Sequence, residues 1–153
     1  MHSSYFFVFF GVLASLASAS DIPDTLYRTD TRNVDEIKKD GGFKAKGFNT
    51  PEGTLFQHVE GTLRDPSRDP FVYLSHDITN VTKHGQYLYD IDTAKIHNKI
   101  FHVKTEYEKV NRKNSAETEE YAVEKIIPYS AIKGVKAKDK GGRAHGWHGV
   151  DMP

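Results

Sequence analysis

An α+β domain is what this sequence predicts, from three observations. Several short segments carry the period of two that a half-buried strand demands, the clearest being Gln86 to Asp92, which sets Tyr87, Tyr89 and Ile91 against Leu88, Asp90 and Asp92. A short helix is marked at both ends: Asn33 stands as N-cap with Glu36 three residues on, and Gly41-Gly42 supply the stop. Strand and helix signals are intermixed along the chain, without an internal repeat, which favours α+β over an alternating parallel architecture.

The chain opens with a polar start and an apolar run, Tyr5 to Leu16, too short to span a bilayer. Ala17-Ser18-Ala19 follows, a small-residue pattern suited to signal-peptidase cleavage, so residues 1–19 read as a signal peptide and the mature chain is expected to begin near Ser20 or Asp21. The expected protein is secreted, with no stable membrane insertion after the leader is removed. About 134 residues remain, enough for one domain and too few for two. The 21 basic and 21 acidic residues balance, so no nucleic-acid partner is expected. Cysteine is absent, so the fold must rest on packing and no disulfide can tether a second subunit.

The elements follow in order. Thr25 to Asp30 alternates as a strand, and Val34 to Asp40 is the capped helix. Thr50-Pro51 can start a second helix, with Leu55, Phe56, Val59 and Leu63 at helical spacing, and Asp65 to Pro70 is a polar, proline-containing loop. Phe71 to Ser75 is a buried strand, Thr79 to His84 a short helix, and Ile100 to Val103 a further strand. Glu106 to Ser115 is charged and loop-like. Tyr121 to Ile127 reads as one strand, and Pro128-Tyr129-Ser130 turns the chain into a strand from Ile132 to Val135. The domain is expected over residues 20–136. Residues 137–153, rich in Lys, Gly and His, carry too little apolar content to pack alone and read as a mobile tail.

Four blocks then occur in order: Leu26-Tyr27-Arg28-Thr29-Asp30-Thr31-Arg32 with Asp35-Glu36-Ile37-Lys38, Leu55 to Thr62, Tyr87 to Ala94, and Ile127 to Gly134. Together they resemble the catalytic A chain of the cholera toxin and heat-labile enterotoxin family, over about residues 25 to 135. The resemblance implies an ADP-ribosyltransferase fold, split mixed or antiparallel sheets around an NAD cleft, and a secreted toxin or effector that transfers ADP-ribose to a host protein. The sequence ends soon after the last block, so the linker through which the resembled enterotoxin A chain meets its binding pentamer is not expected here.

Breaking the bond between ribose and nicotinamide builds an oxocarbenium-like centre, so such a site needs cations for the pyrophosphate of NAD and a carboxylate for the sugar. Arg28, a permanently charged forked donor on a strand, suits the first task, and the resemblance places the family's NAD-binding arginine there. Thr29, Asp30 and Thr31 complete the cofactor-binding run, and His58 matches a family histidine near the nicotinamide side.

The family's Ser-Thr-Ser strand, whose first serine positions the catalytic glutamate, falls on Tyr73-Leu74-Ser75, so only the last residue is kept and a phenol stands where a hydroxymethyl is expected. A slip of two residues would instead put Ser75 first, followed by His76 and Asp77, on the same face of the strand. Counting back from Pro128, the catalytic glutamate falls on Glu120, and the second glutamate of arginine-modifying members falls on Thr118. Glu117 and Glu119 have the required spacing of two, but using them needs a one-residue slip that turns every side chain to the opposite face.

Two further signals are weaker. Asn80-Val81-Thr82 is a glycosylation sequon, and His145 and His148 flank Trp147 without making a metal site. The same scaffold with Thr118 would also suit an NAD glycohydrolase, or a binding module that kept the fold without turnover.

Overall fold

The computed structural model describes residues 22–81, 85–113, 119–138 and 146–152. Residues 1–19, expected as a signal peptide, together with Glu117, Thr118, His145 and the Thr82 end of the sequon, lie outside them.

The chain forms β1 (Thr25–Asp30), α1 (Val34–Lys39), β2 (Gly42–Lys44), α2 (Leu55–Glu60), β3 (Phe71–Ser75), α3 (Ile78–Val81), β4 (Tyr87–Asp92), β5 (Ile100–His102) and α4 (Val103–Lys109). It continues through β6 (Glu120–Glu124), β7 (Ile126–Pro128), β8 (Ile132–Lys138) and β9 (Trp147–Gly149). Seven strands make one antiparallel sheet in the order β5-β6-β3-β1-β4-β8-β9, and β2 pairs with β7 in a second, two-stranded sheet. The α+β expectation holds.

Alternation decides which side of the large sheet is apolar. Leu26, Val72, Leu74, Tyr89, Ile91, Tyr121 and Val123 share one face through the strand register and are all buried. Val34 and Ile37 of α1 and Phe43 of β2 cover that face, completing the main core. A side chain such as Leu26 or Ile91, fully buried, contributes about 1.5 to 3 kcal/mol. On the other face a smaller cluster gathers Leu55, Phe71, Val103, Tyr107 and Ala122.

Both α1 and α2 open on a capping box. Asn33 and Glu36 form the capping box of α1, with the Asn33 side chain accepting from the Glu36 amide at 3.0 Å. In α2 the box is Thr54 with Gln57, so this helix begins four residues later than Thr50-Pro51 suggests. A capping side chain fixes the first turn more firmly than proline alone.

Three expectations need correction. The charged run from Glu106 is not a loop: α4 buries Val103 and Tyr107, one turn apart, and exposes its charges. Tyr121 to Ile127 is not one strand, because Lys125 adopts a left-handed conformation (φ 62°) that ends β6 and directs β7 into the second sheet. The tail boundary at 136 falls inside β8, and Trp147–Gly149 pairs with it as β9. Edge pairing needs backbone groups rather than apolar side chains, and Val150 and Met152 pack on the core as well.

Candidate active site

The site begins with an interruption in the sheet. β1 pairs with β4 along all six of its residues, but meets β3 in register only at Tyr27 and Ser75. Beyond that pair the strands part, and the Arg28 side chain enters the gap, Nη1 donating to the Tyr73 carbonyl at 2.9 Å. A side-chain donor thus takes the place of a ladder hydrogen bond.

Phe43 supports the guanidinium from below, its ring centroid 5.2 Å from Arg28 Cζ. Arg32 lies over the same ring at 5.9 Å. Asp30 stands between the two arginines, 2.9 Å from Arg32 Nη2 and 3.7 Å from Arg28 Nη2. Burial opposes ionisation of Asp30, but hydrogen bonds from the Arg32 side chain and backbone overcome it and hold the carboxyl below the usual range. Burial lowers the pKa of Arg28, with Asp30 acting against it, yet an arginine remains charged.

Asp30 lies closer to Arg32 than to Arg28, and Arg32 also pairs with Asp40 at 2.9 Å. Arg28 Nε is enclosed and has no acceptor among the described residues. A buried donor on a charged guanidinium fits a phosphate or ribose oxygen, so these residues suit NAD.

Ser75 and Glu120 form the second half of the site. They are direct cross-strand partners in the β3–β6 ladder and share a face, with Tyr73 two residues from Ser75 on the same side. Ser75 is fully buried. Its hydroxyl donates between the carbonyls of Asp77 (3.2 Å) and Glu119 (3.3 Å) and accepts from the Asp77 amide at 3.0 Å. It therefore ties the end of β3 to the entry of β6. Glu119 precedes the strand, is exposed, and by alternation points away from Ser75.

By register, Arg28 belongs to the core face and Ser75 with Glu120 to the opposite one. Between them β1 and β3 meet in register only at Tyr27 and Ser75. Tyr73 links them, its carbonyl holding Arg28 and its side chain standing on the Glu120 side.

Other expected residues lie elsewhere or are committed. Thr29 Oγ1 donates to the Val81 carbonyl at 2.9 Å and anchors α3, while Thr31 is exposed in the turn after β1. His58 Nδ1 lies 2.6 Å from Asp69 Oδ2, and its ring packs against Phe71 at 5.4 Å, at the opposite end of β3 from Ser75. Near that end a cavity of about 230 Å³ is lined by Pro51, Gly53, Pro70, Phe71, Glu124 and Lys125. Among the described residues no group of three or more His, Asp or Glu is placed to hold a metal. Nor is any helix among them long and apolar enough to cross a membrane.

Sequence reasoning overlooked Arg32 and Phe43. The signal for the first was present, since Arg28, Asp30 and Arg32 recur at intervals of two, the spacing that stacks charges along one side of an extended chain. Phe43 carries no such mark.

No protein-family model matches the chain. Over 106 residues it is 37% identical to the A chain of cholera enterotoxin from Vibrio cholerae and 36% identical to the heat-labile enterotoxin A chain of Escherichia coli. These matches cover 58% of this chain and 40% of each relative, so the chain spans about two-fifths of the curated relatives' length. Among solved structures, EcPltA superposes with a TM-score of 0.58 at 21% identity, covering 84% of this chain and 83% of that one. Scabin toxin from Streptomyces scabies in complex with NADH gives 0.56 at 23%, covering 78% and 67%. A guanine-specific ADP-ribosyltransferase gives 0.57 at 23%, covering 75% and 66%. Across the matched stretch the chain is similar to the enterotoxin A chains, and it shares the fold of these ADP-ribosyltransferase structures.

Proposed function

We propose that this chain is a secreted toxin or effector with NAD-dependent mono-ADP-ribosyltransferase activity on a host protein. One observation carries the reading: a strand pair that brings Glu120 beside Ser75, next to an opening in the sheet held by Arg28. Bound there, NAD would supply the ADP-ribosyl group, with nicotinamide as the leaving group. Arg28 would anchor its phosphate or ribose oxygens through the enclosed Nε and the fixed guanidinium plane. The Glu120 carboxylate would stabilise the positive charge that develops on the ribose, and Ser75 would keep the β3 and β6 ends together so that the carboxylate stays in place. The segment 1–19 supports export, and the balanced charge favours a protein acceptor over nucleic acid.

A glycohydrolase reading has one observation behind it, Thr118 where arginine-modifying relatives are expected to carry a second glutamate. Incubating the mature chain with labelled NAD and a host-cell extract separates the possibilities. Label on protein is the expected result. Free ADP-ribose alone would make the chain a glycohydrolase, and intact NAD would make it a binding module. Glu120→Gln should lower either activity by about 100-fold or more, and a fully active variant would remove Glu120 from the mechanism.

A further inference from the structure

Phe71, at the end of β3 remote from Ser75, lines the cavity of about 230 Å³ together with Pro51, Gly53, Pro70, Glu124 and Lys125. Resting on the transferase reading above, we propose that this cavity is a recognition pocket for an arginine side chain of the acceptor protein, distinct from the residue that is modified. Glu124 is its counter-ion, and Phe71 with the two prolines forms its apolar wall.

The pocket is built by backbone that is already fixed. Phe71 and Glu124 are direct cross-strand partners in the β3–β6 ladder, so ring and carboxylate stand on one face of the sheet. The left-handed Lys125 donates its amide to the Pro70 carbonyl at 2.8 Å, tying the end of β6 to the start of β3. On the other side the Glu52 amide donates to the Arg68 carbonyl at 2.8 Å and holds the segment that carries Pro51 and Gly53. Pockets for drug-sized molecules run from about 300 to 1,000 Å³, so this space suits one side chain rather than a dinucleotide.

Both recognition groups lack a cation from the chain itself. Among the described phenylalanines, Phe43 carries Arg28 and Arg32, Phe48 carries Lys44, Phe56 carries Arg112 and Phe101 carries Lys99, at 4.3–5.9 Å from the ring centroids. Phe71 alone among them has no Lys or Arg over its ring. Glu124 is half-buried, and its carboxylate has no hydrogen-bond or ion-pair partner among the described residues. The other carboxylate at the pocket, Glu52, is held by Arg68. A partly desolvated carboxylate beside an uncovered aromatic ring favours a cation. A guanidinium is planar and weakly hydrated, packs on apolar walls and forks onto a carboxylate, whereas an ammonium gives up more hydration on entering. Lys125 is exposed at the same pocket and is the charge that opposes this reading.

Glu124 stands four positions along β6 from Glu120, on the same face, which is about 13 Å. Ala122, between them, is buried with Leu55 and Val103, so the acceptor spans from the pocket to Glu120 over the side chains of α2 and α4. On an extended acceptor chain the recognised arginine then lies about four or more residues from the modified one.

The test titrates acetyl-Gly-Arg-Gly-amide into the ¹⁵N-labelled mature chain without NAD. Saturable shifts are expected at the amides of Gly53, Phe71, Glu124 and Lys125. The citrulline peptide, which keeps the shape and removes the charge, should bind about tenfold or more weakly, as should the arginine peptide to Glu124→Gln. No saturable shift at these amides, equal binding of the citrulline peptide, or tighter binding of acetyl-Gly-Glu-Gly-amide overturns the inference, and these arms use the wild-type chain. With labelled NAD and host-cell extract, Glu124→Gln should lower label on protein by about fivefold or more and leave nicotinamide release in buffer alone within about twofold. Undiminished labelling by this variant overturns the acceptor role. Absence of NAD turnover in the wild type would instead overturn the transferase reading, and the peptide titration would still decide whether the pocket takes arginine.

Discussion

Replacing Arg28 by Lys tests the cofactor half of the site while keeping its charge. The guanidinium does three things at once: Nη1 donates to the Tyr73 carbonyl at 2.9 Å, its plane rests on Phe43, and Nε remains available. A lysine ammonium is a single point on a flexible stem. If it reaches the Tyr73 carbonyl it turns away from the opening, and if it reaches a ligand oxygen it abandons the carbonyl. One charge-assisted hydrogen bond to the ligand is therefore lost, about 1.5 to 3 kcal/mol, which corresponds to roughly ten- to hundredfold weaker NAD binding. The fold should lose much less, about 1 kcal/mol, because one partly buried contact to β3 is all that is released. Calorimetric titration with NAD and a urea unfolding curve measure the two effects separately. NAD affinity within twofold of wild type, in a variant that unfolds like wild type, would refute the assignment of Arg28. A loss of stability as large as the loss of affinity would show that Arg28 acts as a structural strut.

Two further outcomes follow from the same region. Because the folded pKa of Asp30 lies below its unfolded value, its ionised form stabilises the fold above about pH 4, and that contribution disappears as pH falls through the folded pKa. Asp30→Asn should therefore be less stable than wild type by a constant margin from about pH 5 to 8, with the margin shrinking in stronger acid; a margin that persists down to about pH 2 would mean the carboxylate is not its source. Gly42→Ala tests the junction of β2 and β7, since a Cβ there would run into the Ile127 carbonyl oxygen in a backbone with φ +133°. It should cost about 3 kcal/mol or more in urea unfolding, and a loss under about 1 kcal/mol would show that the two-stranded sheet yields easily.

The parts of the fold that could be read from the sequence are those whose cause is local. The β1 and β3 bounds and the Asn33 capping box depend on neighbouring residues, and they stand where the sequence puts them. Alternation in β4 is equally local. What escaped depends on tertiary placement. Two apolar residues, Val103 and Tyr107, make α4 a helix only because Phe71 and Ala122 are there to receive them. Lys125 has no turn signature, and its left-handed backbone is imposed where it joins two sheets and donates to the Pro70 carbonyl at 2.8 Å. At the candidate site, Arg28, Ser75 and Glu120 are candidates from sequence alone, whereas the single β1–β3 register pair beside them has no signature there. His58 shows the converse: its sequence position is suggestive, but its ring is held by Asp69 at the far end of β3.

That single pair explains the arrangement. If β1 and β3 stayed in register along their length, alternation would keep Arg28 on the core side and Glu120 on the other, with a continuous sheet between them. Parting the strands leaves backbone groups without ladder partners, which is costly unless another donor or acceptor takes over. Arg28 provides that donor at Tyr73, and the same guanidinium retains an enclosed N–H for a ligand. The opening and the cation that occupies it are thus mutually dependent. A substitution that removed the guanidinium would allow β3 to close on β1, so loss of NAD binding and a longer β1–β3 ladder should appear together, the latter as new slow-exchanging amides at Tyr73 or its β1 neighbours in hydrogen exchange.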